Sequence, residues 1–122
     1  MRIIFNDLIE VNAIMVNGIS KFYQNAQRDS LEFIFKKTDY PFDTLDRYFI
    51  DKTKTVKITL VDDITGTQYI YEDYTIRVSM ILAPAILAPA TSTSPEVTEE
   101  RISVVMAQKT YMEKQIEQLL GA

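Results

Sequence analysis

The sequence predicts a mainly β protein of the α+β class. We expect an antiparallel sheet, arranged as a sandwich or a partly open barrel, with one short internal helix and a C-terminal helix. Apolar and polar residues alternate in Ser30–Lys36 and again in Thr55–Val61, as half-buried strands require. Turn-forming residues at 62–66 connect the second segment to Thr67–Tyr71. After Thr110 the spacing of apolar residues becomes that of a helix.

The alternating segments predict the apolar face of the sheet. Its members are Leu31, Phe33 and Phe35 in the first segment and Val56, Ile58 and Leu60 in the second. Beyond the turn, the apolar positions shift from odd numbers at Tyr69 and Tyr71 to even numbers from Tyr74 onward. We therefore expect a bulge or tight turn at Glu72-Asp73, which gives either one long bent strand or two short ones.

The N-terminal part of the chain predicts further strands at Ile3–Phe5 and Leu8–Val16. Asn17-Gly18 is a favoured turn dipeptide, so the chain is expected to reverse there before Ile19–Tyr23. The polar segment Asn25–Asp29 is then expected to connect to the next strand.

A two-turn helix is predicted near 43–50. Asp43 is a suitable N-cap, and Pro41 precedes it. Leu45 and Phe49 are spaced i, i+4, so they share the face that packs on the sheet. The helix is expected to close one end of the sheet.

The C-terminal segment predicts a strand followed by a helix. Ile102, Val104 and Met106 alternate as in a strand, and Thr110 and Glu113 then form a capping box. The helix is expected to end at Gly121 and to carry Met112, Ile116, Leu119 and Leu120 on one face. Since a helix of ~10–12 residues has little stability alone, this face is expected to dock on its own sheet or on another chain.

The chain length predicts a single domain with three parts. These are a β-rich body over 1–82, a connecting arm over 83–100 that is rich in Pro, Ser and Thr, and a final strand plus helix over 101–122. The arm includes most of a duplicated Ile-Leu-Ala-Pro-Ala sequence at 81–90, and its prolines are expected to interrupt strand pairing. It is predicted to be a floppy surface loop or an arm that reaches a neighbouring subunit. The apolar pair Ile86-Leu87 favours the second alternative.

Composition excludes several kinds of functional site. The 122 residues include no cysteine and no histidine, which excludes thiolate nucleophiles, histidine-based triads, zinc sites and haem pockets. The three glycines are isolated, so no phosphate-binding loop is present. The acidic pairs at 62–63 and 72–73 are expected to lie at opposite ends of one strand, too far apart to share a metal. We expect no enzyme activity, no cofactor, no metal site and no small-molecule substrate.

Charge and hydropathy limit the partners that the sequence predicts. There are 13 basic and 17 acidic residues, and the lysines between 36 and 57 are interleaved with aspartates, so nucleic-acid binding is not expected. The most apolar window, 78–90, is too short to span a bilayer. Membrane association is therefore not expected. Acidic residues interrupt the N-terminal apolar run, so we expect no secretory signal and, by default, folding in a cytoplasm.

Several segments of the sequence resemble small proteins encoded in the tail-gene regions of phages and prophages of Gram-positive bacteria. The segments that carry the resemblance are 25–35, 45–49, 57–62, 71–76 and 103–111 with its following helix. The resemblance implies a tail or baseplate component of the virion, made in the cytoplasm of a bacterial host. It implies no functional residues, and the Ile-Leu-Ala-Pro-Ala duplication is not part of the pattern.

The sequence therefore predicts a non-enzymatic structural protein that assembles through protein–protein contacts. Other tail or baseplate proteins and further copies of the chain are the expected partners. The candidate assembly contacts are Ile86, Leu87, Met112, Ile116, Leu119 and Leu120. The alternative is a small module that binds a carbohydrate or a peptide through Tyr69, Tyr71 and Tyr74, which cluster around the expected bulge.

Overall fold

The computed structural model describes residues 1–120 and is mainly β, with 50% of the chain in strands. Two four-stranded antiparallel sheets form a sandwich-like arrangement without closing into a barrel, so the predicted fold class is confirmed. The strands are β1 (Arg2–Ile4), β2 (Glu10–Asn12), β3 (Met15–Tyr23), β4 (Ala26–Lys36), β5 (Lys57–Val61), β6 (Gln68–Glu72), β7 (Ile76–Ala88) and β8 (Val97–Ala107). The helices within residues 1–120 are α1 (Phe42–Ile50), α2 (Lys52–Thr55) and α3 (Tyr111–Leu119).

One hydrophobic core joins both sheets and α1. The first sheet has the order β2-β1-β5-β6, and the second has the order β3-β4-β8-β7. Leu45 and Phe49 are fully buried, as the sequence predicts, and the ring of Phe49 lies 5.0 Å from that of Phe33 and 5.2 Å from that of Phe5. The strand residues of the core are Ile3, Val11, Leu31, Phe33, Phe35, Ile58, Leu60, Ile102, Val104 and Met106.

The helical segment differs from the prediction in two details. Pro41, rather than Asp43, is the N-cap of α1, and Asp43 lies in its first turn. The short helix α2 is an addition that begins after Asp51, whose carboxylate accepts a hydrogen bond from the N–H of Thr53 at 3.0 Å. Val56 is the C-cap of α2, so it lies outside β5, and it is 38% exposed. The buried stripe of β5 therefore starts at Ile58 and not at Val56.

The predicted turn at Asn17-Gly18 is wrong, since both residues lie inside β3. The chain reverses instead at Gln24-Asn25, between the paired residues Tyr23 and Ala26. Both turn residues have positive φ, 50° and 61°, which is the geometry that a two-residue turn needs to match the twist of its strands. The segment expected to be a polar connection is therefore the tight turn and the start of β4.

The phase shift at Glu72-Asp73 separates two strands that belong to different sheets. β6 ends at Glu72 in the first sheet, and β7 begins at Ile76 in the second. Asp73 has φ of 65°, so the chain bends sharply there. The change of apolar phase thus marks a crossing between layers, and β7 is a long strand of 13 residues.

The arm over 83–100 is a β-hairpin, not the irregular connection that its prolines suggest. β7 and β8 pair out to Ala88 and Val97, and only the tip at 89–96 lies outside the strands. Pro84 is tolerated because β7 is an edge strand, where a residue without an N–H can face solvent. The ladder of β8 with β4 ends at Arg101, and the N–H of Lys37 donates one further hydrogen bond to the carbonyl oxygen of Glu100, so from Glu99 to Val97 β8 pairs with β7 alone. The arm is thus a two-stranded ribbon that extends beyond the sheet.

Candidate assembly surface

The helix α3 begins as the sequence predicts. The hydroxyl of Thr110 accepts a hydrogen bond from the N–H of Glu113 at 3.2 Å, and the Glu113 carboxylate accepts one from the N–H of Thr110 at 2.9 Å. This capping box satisfies two backbone donors at the helix start. α3 extends to Leu119, and the helix end expected at Gly121 lies outside the described residues.

The polar side of α3 attaches the helix to the body. Glu113 accepts two hydrogen bonds from the guanidinium of Arg28, one of them at 2.9 Å. Two further ion pairs lie along the same helix, Lys109 with Glu117 and Lys114 with Asp73. The attachment of α3 therefore depends on charged groups rather than on apolar packing.

Arg28 is the centre of this attachment. Its side chain is fully buried, an unusual position for a charged group. Besides Glu113, it donates to the carbonyl oxygens of Tyr23 at 2.8 Å, of Gln108 at 3.2 Å and of Gln24 at 3.4 Å. One guanidinium thus connects the β3–β4 turn, the segment after β8 and the first turn of α3.

The apolar side of α3 faces away from the body. None of its residues is buried, and Met112, Ile116, Leu119 and Leu120 are 49–85% exposed. We expected this apolar face to dock either on its own sheet or on another chain. Among residues 1–120 it does not pack on the sheet. The helix has the reverse of the usual arrangement, in which the apolar stripe packs on the core and the charged side is solvated.

The arm carries the second exposed apolar surface. Ile86 is 62% exposed and Leu87 is 50% exposed, and the pairing register shifts between Ile86 and Ala88, so Leu87 lies at an irregularity of the ribbon. Ile81 and Val97 are also exposed, so the apolar character continues along both strands. An isolated two-stranded ribbon is marginally stable in water. Contact with another surface would therefore stabilise this one.

The two apolar surfaces lie at opposite ends of the β7–β8 hairpin. α3 follows the end at which Ile76 pairs with Ala107, and the arm tip follows the end at which Ala88 pairs with Val97. At ~3.3 Å per residue, the strand between them spans roughly 40 Å. The six candidate assembly residues are therefore divided between two separate surfaces of one chain.

The sequence does not reveal a groove between α3 and the α1–α2 segment. It consists of two adjoining cavities of about 390 and 420 Å³, both lined by Lys52, Thr75, Lys109 and Glu117. Ile50 lines the first cavity and Val56 the second, and both side chains are substantially exposed. Because these residues come from distant parts of the chain, no local pattern could have indicated the groove.

The tyrosine surface is smaller than the sequence suggests. Tyr74 is buried, and its ring packs edge-on against that of Tyr71, with 5.7 Å between the centroids. Burial raises the pKa of the Tyr74 hydroxyl. Tyr71 is partly buried against the core, and Tyr69 is 46% exposed. Tyr74 therefore contributes little to the alternative ligand surface, which leaves Tyr69 and the accessible part of Tyr71.

Comparisons of the chain with protein-family models, curated proteins and solved structures give no match. Among residues 1–120, no group of three or more acidic side chains is placed to hold a metal ion. None of the helices in that range has the length and apolarity to cross a membrane. The proposed function therefore relies on the geometry of the exposed surfaces.

The ion pair of Glu113 is expected to make stability depend on pH. Its hydrogen bonds with the Arg28 side chain, and then with the N–H of Thr110, lower the pKa of the Glu113 carboxyl from 4.5 to about 2. This stabilisation is complete above the unfolded-state pKa and is lost as the pH falls through the folded-state pKa. Between pH 5 and pH 2.5, the wild type should therefore lose more free energy of unfolding than Glu113→Gln. Urea denaturation followed by circular dichroism measures both losses, and equal losses would contradict the assignment.

Proposed function

We propose that this protein is a non-enzymatic structural subunit of a phage tail or baseplate. The observation that carries the proposal is the orientation of α3, whose charged side binds the body while its apolar side faces outward. A helix held in this way presents a ready-made contact to another protein, as in helix-in-groove recognition.

Energetics favour a protein partner for this surface. A nine-residue helix is too short to be stable on its own, and its outward apolar side chains gain nothing from the body. Fully burying a side chain such as Leu or Ile stabilises by about 1.5–3 kcal/mol. Four such side chains on one face make association with an apolar surface favourable.

The choice of a virion rests on the sequence resemblance to small proteins from phage tail-gene regions. The absence of cysteine and histidine supports a structural role, because it removes the side chains most used for nucleophilic and general-base chemistry. In this proposal the protein is made in the cytoplasm of the bacterial host and is then incorporated into the tail. Its partners are other tail or baseplate proteins and further copies of itself.

Quantitative mass spectrometry of purified phage particles tests the proposal. Particles released by the bacterium that encodes the chain should contain it at a fixed number of copies per particle. That number should stay constant through density-gradient purification, alongside known capsid and tail proteins as internal standards. Loss of the chain from intact, infectious particles during purification would contradict a structural role.

A further inference from the structure

We propose that the open side of the sandwich, between β3 and β6, binds an extended peptide segment that carries a lysine or an arginine. The segment pairs with β3 through its backbone and places the basic side chain between the two sheets. This site goes beyond the proposed structural function, because it is separate from the outward face of α3 and no residue of α3 lines it.

The site is a cleft between two sheet edges. β3 is an edge of the second sheet, and β6 is an edge of the first. Two adjoining cavities of about 220 and 400 Å³ lie between these strands, and both are lined by Gly18, Leu31 and Tyr71. Together they have the size of a ligand site, which is typically roughly 300–1,000 Å³. We call them the β3–β6 cleft.

β3 offers an unpaired backbone edge to this cleft. Tyr23 and Ala26 flank a two-residue turn, so they form a hydrogen-bonded pair, and bonded and non-bonded pairs alternate from there along the hairpin. Gly18, Ser20 and Phe22 therefore direct their N–H and C=O groups away from β4. In the described part of the chain, no strand lies on that side of β3. Its nine residues include no proline, so a peptide can add as a further strand.

β6 contributes side chains to the cleft rather than a backbone edge. It has only five residues, and the carbonyl oxygen of Glu72 already accepts a hydrogen bond from Nε2 of Gln108 at 2.7 Å. Tyr69 and Tyr71 line the cleft from this strand. The faces of such rings attract a cation. The backbone of β3 and the aromatic rings of β6 thus form the two sides of one site.

Gly18 leaves room for a side chain of the peptide. It pairs with buried Leu31, so its α-carbon faces the space between the sheets. A Cβ at Gly18 would have no other atom within 4 Å, so the chain itself does not fill this space. Every second side chain of a strand added beside β3 points to the same face. One of them therefore enters the cleft on the side opposite Tyr71.

The charge of the cleft favours a basic side chain there. Asp62 lines one cavity and Asp29 lines the other, and neither lining includes a lysine or an arginine. Within residues 1–120, neither carboxylate has a basic group within 4.0 Å. A lysine or arginine of the peptide is complementary to these carboxylates as well as to the tyrosine rings.

A peptide selection tests the inference with the full chain. Random peptides of nine residues, the length of β3, are displayed on yeast and selected for binding to the wild type. Gly18→Val is the test variant, because the added side chain enters the cleft without meeting another atom at its Cβ, and valine is favoured in strands. We expect selected peptides to share a lysine or arginine and to bind this variant roughly tenfold or more weakly.

Two further measurements on a selected peptide separate charge from backbone pairing. Asp29→Asn with Asp62→Asn removes the charge of the cleft but not its volume, and it should weaken binding by about fivefold or more. Hydrogen exchange followed by NMR reports on the edge of β3. The N–H groups of Gly18, Ser20 and Phe22 gain acceptors in the complex, so their exchange should slow by roughly tenfold or more.

Asn17→Val is the matched control, because it adds the same side chain to the opposite face of β3. It should bind the peptides like the wild type, and circular dichroism should show that all variants are folded. A selection without peptides that distinguish the wild type from Gly18→Val would overturn the site. Selected peptides without a shared basic residue, or unchanged exchange at the three amides, would overturn the proposed mode of binding. Copy number in phage particles is a separate measurement, so either result leaves the test of the structural function intact.

Discussion

Replacement of Phe49 by alanine is expected to lower the free energy of unfolding by about 3–5 kcal/mol, the usual cost of truncating a buried phenylalanine. Phe49 is fully buried, and its ring contacts those of Phe5, Phe33 and Phe35 at centroid distances of 5.0–5.8 Å. The substitution would leave a cavity where α1 meets both sheets. Urea denaturation at a fixed protein concentration measures the change.

Phe22→Ala is the matched control, because the same side chain is 70% exposed on β3. Its effect should stay within about 0.5 kcal/mol, as for most surface substitutions. A Phe49→Ala protein as stable as this control would contradict the central position of α1 in the core.

Replacement of Arg28 by alanine is expected to cost about 2–4 kcal/mol, because it removes a buried guanidinium that bridges three segments. Glu113 would lose its partner, and the carbonyl oxygens of Tyr23 and Gln108 would each lose a donor. The helix α3 should then detach from the body. Urea denaturation gives the loss of stability, and hydrogen exchange should show faster exchange of the amides at 114–119 than in the wild type.

Lys21→Ala is the control for Arg28. Lys21 pairs directly with Arg28 across the β3–β4 hairpin, but its side chain is exposed. Truncation there should change the free energy of unfolding by no more than about 0.5 kcal/mol. If Arg28→Ala left the exchange of α3 amides unchanged, the proposed attachment would be wrong.

The sequence predicts the elements whose signals are local. Alternation in β4 and β5, the i, i+4 pair Leu45 and Phe49, and the capping box at Thr110 each depend on a few consecutive residues, and all are present. Tertiary context explains the errors. Asn17-Gly18 has the chemistry of a turn, yet long-range pairing with Glu32 and Leu31 keeps it within β3. Pro84 remains in a strand because β7 lies at a sheet edge, a position that no local pattern reveals.

The candidate surface was predictable only in part. The apolar stripe at Met112 and Ile116 follows from helical spacing, but the direction in which it faces does not. That direction depends on the ion pair between Arg28 and Glu113, which lie 85 residues apart in the chain. The groove likewise depends on segments that meet only in the folded protein.

The central claim is that the outward apolar face of α3 holds the subunit in the virion. Incorporation of an α3 variant into phage particles tests this claim most directly, because the test does not depend on which protein covers that face. The gene for the chain would be altered to encode Ile116→Glu with Leu119→Glu or, as a control, Ile64→Glu, at an exposed side chain in the β5–β6 turn. Mass spectrometry of purified particles would then count copies of the chain. We predict wild-type copy numbers for the control and at least a tenfold loss for the α3 variant, with both proteins folded in the cell. Wild-type copy numbers of the α3 variant would contradict the claim that this face holds the subunit in the virion.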